Sequence, residues 1–172
     1  SVYELVGTPP WRRSVHNIAS ASDVAVAGFQ TLGGIASDFA SRLAYVRRGA
    51  RYLDGSDGTF AGLFADGGEA PCLVLFEMRR YTRLSHLLAQ TARERGIPMT
   101  IICDQHCYWA HDYTHDVLPV STDTSLFWDS QASFVSLANL LLDDVIHELG
   151  ECVDARARDL SSLQDRFEAF QD

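Results

Sequence analysis

Pro71-Cys-Leu-Val-Leu-Phe-Glu-Met-Arg-Arg-Tyr-Thr-Arg83 joins a short apolar run, a polar turn and the opening of a helical pattern. Leu73 to Phe76 is too uniformly apolar for a half-exposed strand and reads as a buried parallel one. Beyond it Leu84, Leu87, Leu88, Thr91 and Ala92 recur on one helical face, and Gly96-Ile-Pro98 ends that helix. The turn Glu77-Met-Arg-Arg-Tyr-Thr82 therefore stands at the carboxyl end of a strand and the amino end of a helix. Open α/β sheets bind ligands there, because free backbone N–H groups and the helix dipole favour an anion. Arg79 and Arg80 in that turn point to a phosphate or carboxylate partner, the alternative being a plain surface turn with solvated arginines.

The same alternation of strand, turn and helix extends both ways. Asp23 to Ala27 reads as a first strand with the turn Gly28-Phe-Gln-Thr31, after which Ile35, Phe39, Leu43 and Val46 mark a helix. Ala50 to Leu53 is a second strand, followed by the loop Asp54 to Gly58 and a helix through Phe64. Met99 to Cys103 is a fourth strand, Asp104 to His115 a loop with one or two helical turns. Asp116 to Val120 is a fifth strand, at the sheet edge because Pro119 cannot donate to a ladder. A long apolar helix over Leu126 to Leu149 follows, with Phe134, Leu137, Leu141 and Val145 on one side. Leu140, Ile146 and Leu149 widen that stripe, so the helix is expected to be buried on more than one side. Residues 151–172 read as an amphipathic tail helix with Leu160, Leu163 and Phe167 as its stripe. The expected fold class is α/β: a three-layer αβα sandwich around a five-stranded parallel sheet, flavodoxin- or Rossmann-like. The expected organisation is a lead-in at 1–22, a core domain at 23–150 and the tail helix at 151–172.

Composition narrows the function. At 172 residues with 47% apolar and 22% charged residues the chain has length for one well-formed core. A net charge of −9 argues against a grip on nucleic acid by this segment itself. All 14 basic residues are arginine, which removes phosphate loops and Schiff bases that require a lysine. No apolar run reaches membrane-span length, and four cysteines without a secretory signal suggest reduced thiols in the cytoplasm. An opening of Ser1-Val-Tyr-Glu without Met reads as a processed chain or a fragment.

Several constellations compete for attention. Gly28 to Gly34 fits neither glycine-rich phosphate fingerprint, leaving Gln30 and Thr31 as donors near a helix start, or a simple tight turn. Cys103 to His115 gathers two cysteines, three histidines and two aspartates, but without CxxC or HExxH spacing no metal is expected. Asp54 to Gly58 lacks the closing glutamate of a calcium loop, and no GxSxG elbow exists. Glu77, Asp104 and His106 are candidate general bases at the sheet's carboxyl edge. Ser130 is a candidate hydroxyl donor at the start of the long helix, with capping by Asp129 or Ser130 as the alternative.

Taken in order, these pieces resemble the sugar isomerase (SIS) domain as found in RpiR-type transcriptional regulators, over about Asp23 to Leu149. The segments that carry the resemblance are Arg80-Tyr-Thr-Arg83, Ala92 to Pro98, Ile101-Ile-Cys-Asp104 and Phe127-Trp-Asp-Ser130. In that family a Ser-x-Ser-Gly-x-Thr turn after the third strand binds a sugar phosphate. The matching positions here are Glu77 to Thr82, of which Thr82 alone fits; Leu32, Cys103 and Tyr108 also depart from the family's Ser, Thr and Ser, while Asp104 and Ser130 are kept. Either Arg79 and Arg80 replace the lost donors with charge, or the ligand is no longer a phosphosugar, or the pocket is vestigial. The resemblance implies an effector-binding domain for a sugar phosphate or sugar acid, with no cofactor and no catalytic residue. Its ligand-binding set would be Gln30, Thr31, Glu77, Arg79, Arg80, Tyr81, Thr82, Asp104 and Ser130. It further implies a homodimer or higher oligomer that pairs through the long and tail helices, and DNA contact only through a separate helix-turn-helix domain. The rival is an aldose–ketose phosphate isomerase of the same fold with Glu77 as base; a third reading is a dimerisation module.

Overall fold

The computed structural model of the chain describes residues 1–55, 60–65 and 70–167. Five parallel strands, β1 (Val24–Gly28), β2 (Ala50–Leu53), β3 (Cys72–Glu77), β4 (Met99–Asp104) and β5 (Val117–Val120), form one sheet in the order β2-β1-β3-β4-β5. The expected α/β class and strand set are therefore present, with β5 at an edge. Strand direction is uniform because helical crossovers separate all consecutive strands except β4 and β5, which a short 3-10 turn at Tyr108–Asp112 connects.

Side-chain alternation in the strands feeds two cores. Val24, Val26, Cys72, Val74, Phe76, Ile102, Leu118 and Val120 face α1 (Pro9–Ser20), α2 (Gly33–Val46) and α5 (Ala132–Leu149). Ala25, Ala27, Leu73, Leu75, Met99, Ile101, Cys103 and Val117 face the opposite layer with α3 (Phe60–Ala65) and α4 (Arg83–Glu94). The central strands β3 and β4 are buried along their whole length, which explains an apolar character broken only by Thr100 and the terminal Glu77 and Asp104. Phe39 and Phe76 meet edge to face at 5.7 Å between ring centres in the first core.

α1 starts on Pro9-Pro10 behind Thr8, whose hydroxyl accepts from the Trp11 amide. Its far end is closed by Arg47, a buried guanidinium that donates to the carbonyls of Ile18, Ala19, Ala21 and Ser22. Burial lowers the Arg47 pKa and lifts the Cys72 thiol to about 12. Trp11 fills the seam between α1 and α5, and its indole N–H donates to Asp144 at 2.6 Å.

Two expectations need correction. The long helix begins at Ala132, not Leu126. Residues 121–131 fold back on themselves, with the Ser130 amide donating to the Thr122 carbonyl at 3.0 Å, and Leu126, Phe127 and Trp128 lie exposed. α5 also keeps a polar face, with Ser136, Asn139, Asp143 and His147 exposed beside its buried Phe134, Leu137, Leu141 and Val145. In α6 (Cys152–Arg166) the anticipated stripe is not the buried one: Val153 is buried, whereas Leu163 and Phe167 are exposed. Ser56 to Gly58 of the expected second loop, and residues 168–172 of the tail, lie outside the described residues. Among the described residues no helix is long and apolar enough to cross a membrane.

Candidate functional site

The strand order reverses between β1 and β3, so their carboxyl ends open a crevice at the topological switch point. The β1 side supplies Gln30 and Thr31, both exposed, ahead of α2. Gln30 holds a left-handed backbone at φ +53, a conformation that non-glycine residues adopt at a cost of about 1–3 kcal/mol. Gly28 must be glycine, since a Cβ there would stand 2.8 Å from that of Ala36 and 3.0 Å from the Leu32 carbonyl oxygen.

The β3 turn is organised by two buried carboxylates. Glu77, at the end of β3, is 3% exposed and turns back into its own turn. One oxygen accepts the Met78 amide at 2.9 Å; the other accepts the Thr82 amide at 3.1 Å and the Thr82 hydroxyl at 3.5 Å. Thr82 is also the N-cap of α4, taking the Ser85 amide at 3.1 Å. Burial raises the Glu77 pKa, opposed by hydrogen bonds from Ser85, Thr82 and Met78. Asp104, at the end of β4 and 1% exposed, accepts the Arg79 amide at 2.8 Å, the Tyr81 hydroxyl at 2.9 Å and the His106 amide at 2.8 Å. It thereby fastens the β3 turn to β4, and burial followed by that hydrogen bond pushes the Tyr81 phenol well above its ordinary range.

Arg79 is engaged by acids of this chain. Its guanidinium pairs with both oxygens of Asp129, at 3.0 and 3.2 Å, and with Asp123 at 3.2 Å. The fork geometry raises the Arg79 pKa and lowers that of Asp129. His106 stands 3.8 Å from Asp123, and Gln105 accepts the Thr122 amide at 3.0 Å. Thr122 is fully buried, and its hydroxyl has no partner among the described residues. Arg80 is exposed and makes no hydrogen bond or ion pair among the described residues.

Of the residues expected to form the site, the structure joins Glu77 to Thr82, and Arg79 and Tyr81 to Asp104. Ser130 connects through Thr122 on the adjacent segment and accepts the Ala132 amide at 3.3 Å, but the N-cap of α5 is Gln131, without a side-chain cap hydrogen bond, rather than Asp129 or Ser130. Thr31 meets the start of α5 through its main chain alone, its carbonyl accepting from the Gln131 side-chain amide at 3.4 Å, and the Gln30 side chain is not joined to this group. Asp123 and Gln105 were absent from the sequence reading, and Asp129 was read only as a cap. The cysteine–histidine stretch does not assemble a ligand set: Cys103 and Cys107 are buried while His111 and His115 are exposed.

A parallel sheet of order 2-1-3-4-5 with helices on both faces defines an open, doubly wound α/β domain. More narrowly, the fold is that of the SIS domains found in RpiR regulators and phosphosugar isomerase-like proteins. The chain is similar to the sugar isomerase domain of an RpiR transcription factor from Sphaerobacter thermophilus, with a TM-score of 0.83 and 19% identity over 94% of this chain and 90% of that one. Vibrio vulnificus NanR complexed with ManNAc-6P is similar at a TM-score of 0.74 and 14% identity, over 96% of this chain and 64% of that one. A Methanococcus jannaschii protein, whose structure infers a 3-hexulose-6-phosphate isomerase, is similar at a TM-score of 0.65 and 17% identity, over 92% and 89%. No family model and no curated protein matches the chain.

Proposed function

We propose that this chain is the effector-sensing domain of a bacterial transcriptional regulator, taking a small sugar-derived ligand at the carboxyl edge between β1 and β3. The likeness to regulator domains of this fold, one of them described with ManNAc-6P, supports that reading. So does the state of Glu77, the residue best placed to act as an isomerase base. Its carboxylate is 3% exposed and accepts hydrogen bonds from its own turn, which withdraws it from a substrate carbon. This sequestered carboxylate is the observation that carries the sensor over the enzyme.

In this reading the protein works as a cytoplasmic homodimer, with α5 and α6 as pairing elements, and reaches DNA through a helix-turn-helix domain outside this sequence. Ligand in the crevice biases one pairing of subunits over another by its different affinity for the two. The lining is Gln30, Thr31, Glu77, Arg79, Arg80, Tyr81, Thr82, Asp104 and Ser130. A thermal-shift screen of the domain against sugars, sugar acids and sugar phosphates tests it. A ligand at about 100 times its Kd adds about 2.7 kcal/mol. Stabilisation without turnover, lost when Gln30 and Thr31 are replaced by alanine, is the expected result. Aldose–ketose interconversion abolished in Glu77→Gln would establish the isomerase instead, and no stabilisation by any compound would leave dimerisation as the function.

A further inference from the structure

An anion bound ahead of α4 would need the free N–H groups of the β3 turn, because the amino end of a helix holds negative charge through those donors. In this chain three of those donors are already engaged, while the Arg80 and Tyr81 amides have no partner among the described residues. The Met78 and Thr82 amides go to Glu77 and the Arg79 amide goes to Asp104. The Thr82 hydroxyl, which might have served a ligand oxygen, lies 3.5 Å from Glu77 and 2.8 Å from the Ser85 hydroxyl. Glu77 thus occupies the cradle with two oxygens of its own, in the place where the oxygens of a bound phosphate would have to sit.

The guanidinium nearest the turn is likewise committed. Arg79 faces two carboxylates, Asp129 and Asp123, so this group of three carries a net negative charge. A phosphate taking Arg79 would have to displace a two-toothed intramolecular ligand present at high effective concentration. Arg80, exposed and unpaired among the described residues, is the remaining cation of the turn, and its single solvated charge offers no enclosure for an anion. Apart from Arg80, the uncommitted side chains at this edge are uncharged: Gln30 and Thr31, exposed after the end of β1.

We infer that Glu77 is a built-in anion that fills the phosphate cradle of this domain, and that the ligand of the crevice is an unphosphorylated, uncharged polyhydroxy compound, a free sugar or polyol. This rests on the effector-binding reading above and sets its specificity. Removing the carboxylate should reopen the cradle. In Glu77→Ser the Met78 and Thr82 amides lose their acceptor and regain the capacity to bind an external anion.

The test uses the whole chain, with inorganic phosphate and matched pairs of sugars and their phosphates (glucose, fructose and glucosamine, each with its 6-phosphate) as probes in thermal shift and calorimetry. The wild type is expected to ignore inorganic phosphate and to prefer the unphosphorylated member of any pair it binds by at least about tenfold, equivalent to about 1.4 kcal/mol. Glu77→Ser is expected to gain stabilisation from inorganic phosphate and to invert that preference. Glu77→Gln keeps the volume but can accept only one of the two amides, so it should respond to phosphate less than Glu77→Ser, and it serves as the folded comparison if Glu77→Ser unfolds. Wild-type binding of a sugar phosphate more tightly than its parent sugar would overturn this inference while leaving the effector reading intact. Stabilisation of the wild type by inorganic phosphate would overturn it as well. Failure of every sugar and every phosphate to bind either protein would instead sink the effector reading on which it rests.

Discussion

Replacing Asp104 with alanine should cost more stability than any other single change at the crevice. The side chain is 1% exposed and accepts from the Arg79 amide, the His106 amide and the Tyr81 hydroxyl. Each hydrogen bond to a charged acceptor contributes about 1.5–3 kcal/mol, and a buried donor left without its partner costs about 1–3 kcal/mol. Rotation of the Tyr81 hydroxyl and entry of water recover part of the sum. The net expectation is about 3–5 kcal/mol, within the range for breaking a buried charged cluster. For a domain of this size each kcal/mol moves Tm by about 2–4 °C, so the midpoint should fall by roughly 6–20 °C. Tyr81→Phe removes one of the three donors and should cost about 1–2 kcal/mol. Calorimetric unfolding of both variants, with amide exchange at Arg79 and His106, measures the difference. An Asp104→Ala loss no larger than that of Tyr81→Phe would refute the hub, as would unchanged exchange protection at those two amides.

Three further outcomes follow from the same geometry. The Glu77 pKa is raised in the folded chain from its ordinary 4.5, so the folded state holds the proton more tightly. Its contribution is fully present below pH 4.5 and is lost as pH rises through the folded value; melting of wild type and Glu77→Gln across that window should show a falling stability in the wild type that the variant lacks. Arg79→Ala removes an exposed clamp and should lower the urea midpoint slightly, less at about 0.5 M salt than at about 10 mM, as read by urea unfolding at the two salt concentrations. Gly28→Ala forces a Cβ to 2.8 Å from that of Ala36 and should destabilise by about 1–3 kcal/mol, read as a lower urea midpoint with an unchanged slope.

The sheet was legible because burial on both faces leaves its mark on composition. Leu73 to Phe76 admits no polar residue and Met99 to Cys103 only Thr100, and in the folded chain both stretches are buried throughout. The start of α5 was not legible, because Leu126, Phe127 and Trp128 continue the apolar character of the helix while standing exposed outside it. Apolarity marks burial only on average, and here it extends the pattern six residues too far. The place of the site followed from strand-turn-helix order alone. Its wiring did not: Arg79 meets Asp104 across 25 positions and Asp129 across 50, and no local spacing encodes such pairs. Glu77 offered the one local signal, a carboxylate at the end of an apolar strand directly before a helix start, where its own turn could satisfy it. That position read as a general base because a carboxylate near a crevice serves either role until its hydrogen bonds are known.

The segment between β5 and α5 links the crevice to the proposed pairing surface, and the strength of its fastening decides what a ligand has to do. Asp129 stands three residues before the first residue of α5 and is held by Arg79 at the mouth of the crevice. Such an exposed clamp is only a weak bias between its closed and open arrangements. A ligand that prefers one arrangement by tenfold therefore overrides it, whereas a ligand indifferent to the segment shifts nothing however tightly it binds. Trp128, 76% exposed beside this clamp, reports the balance in a Trp109→Phe background, since Trp109 is partly buried against Tyr81 and Trp11 is buried between α1 and α5. Iodide should quench Trp128 emission strongly in the free protein, and a bound effector should change that quenching in this background more than with Arg79→Ala added, where the clamp is already lost. An equal change in both proteins would mean that the effector acts on α5 by a route that bypasses Arg79.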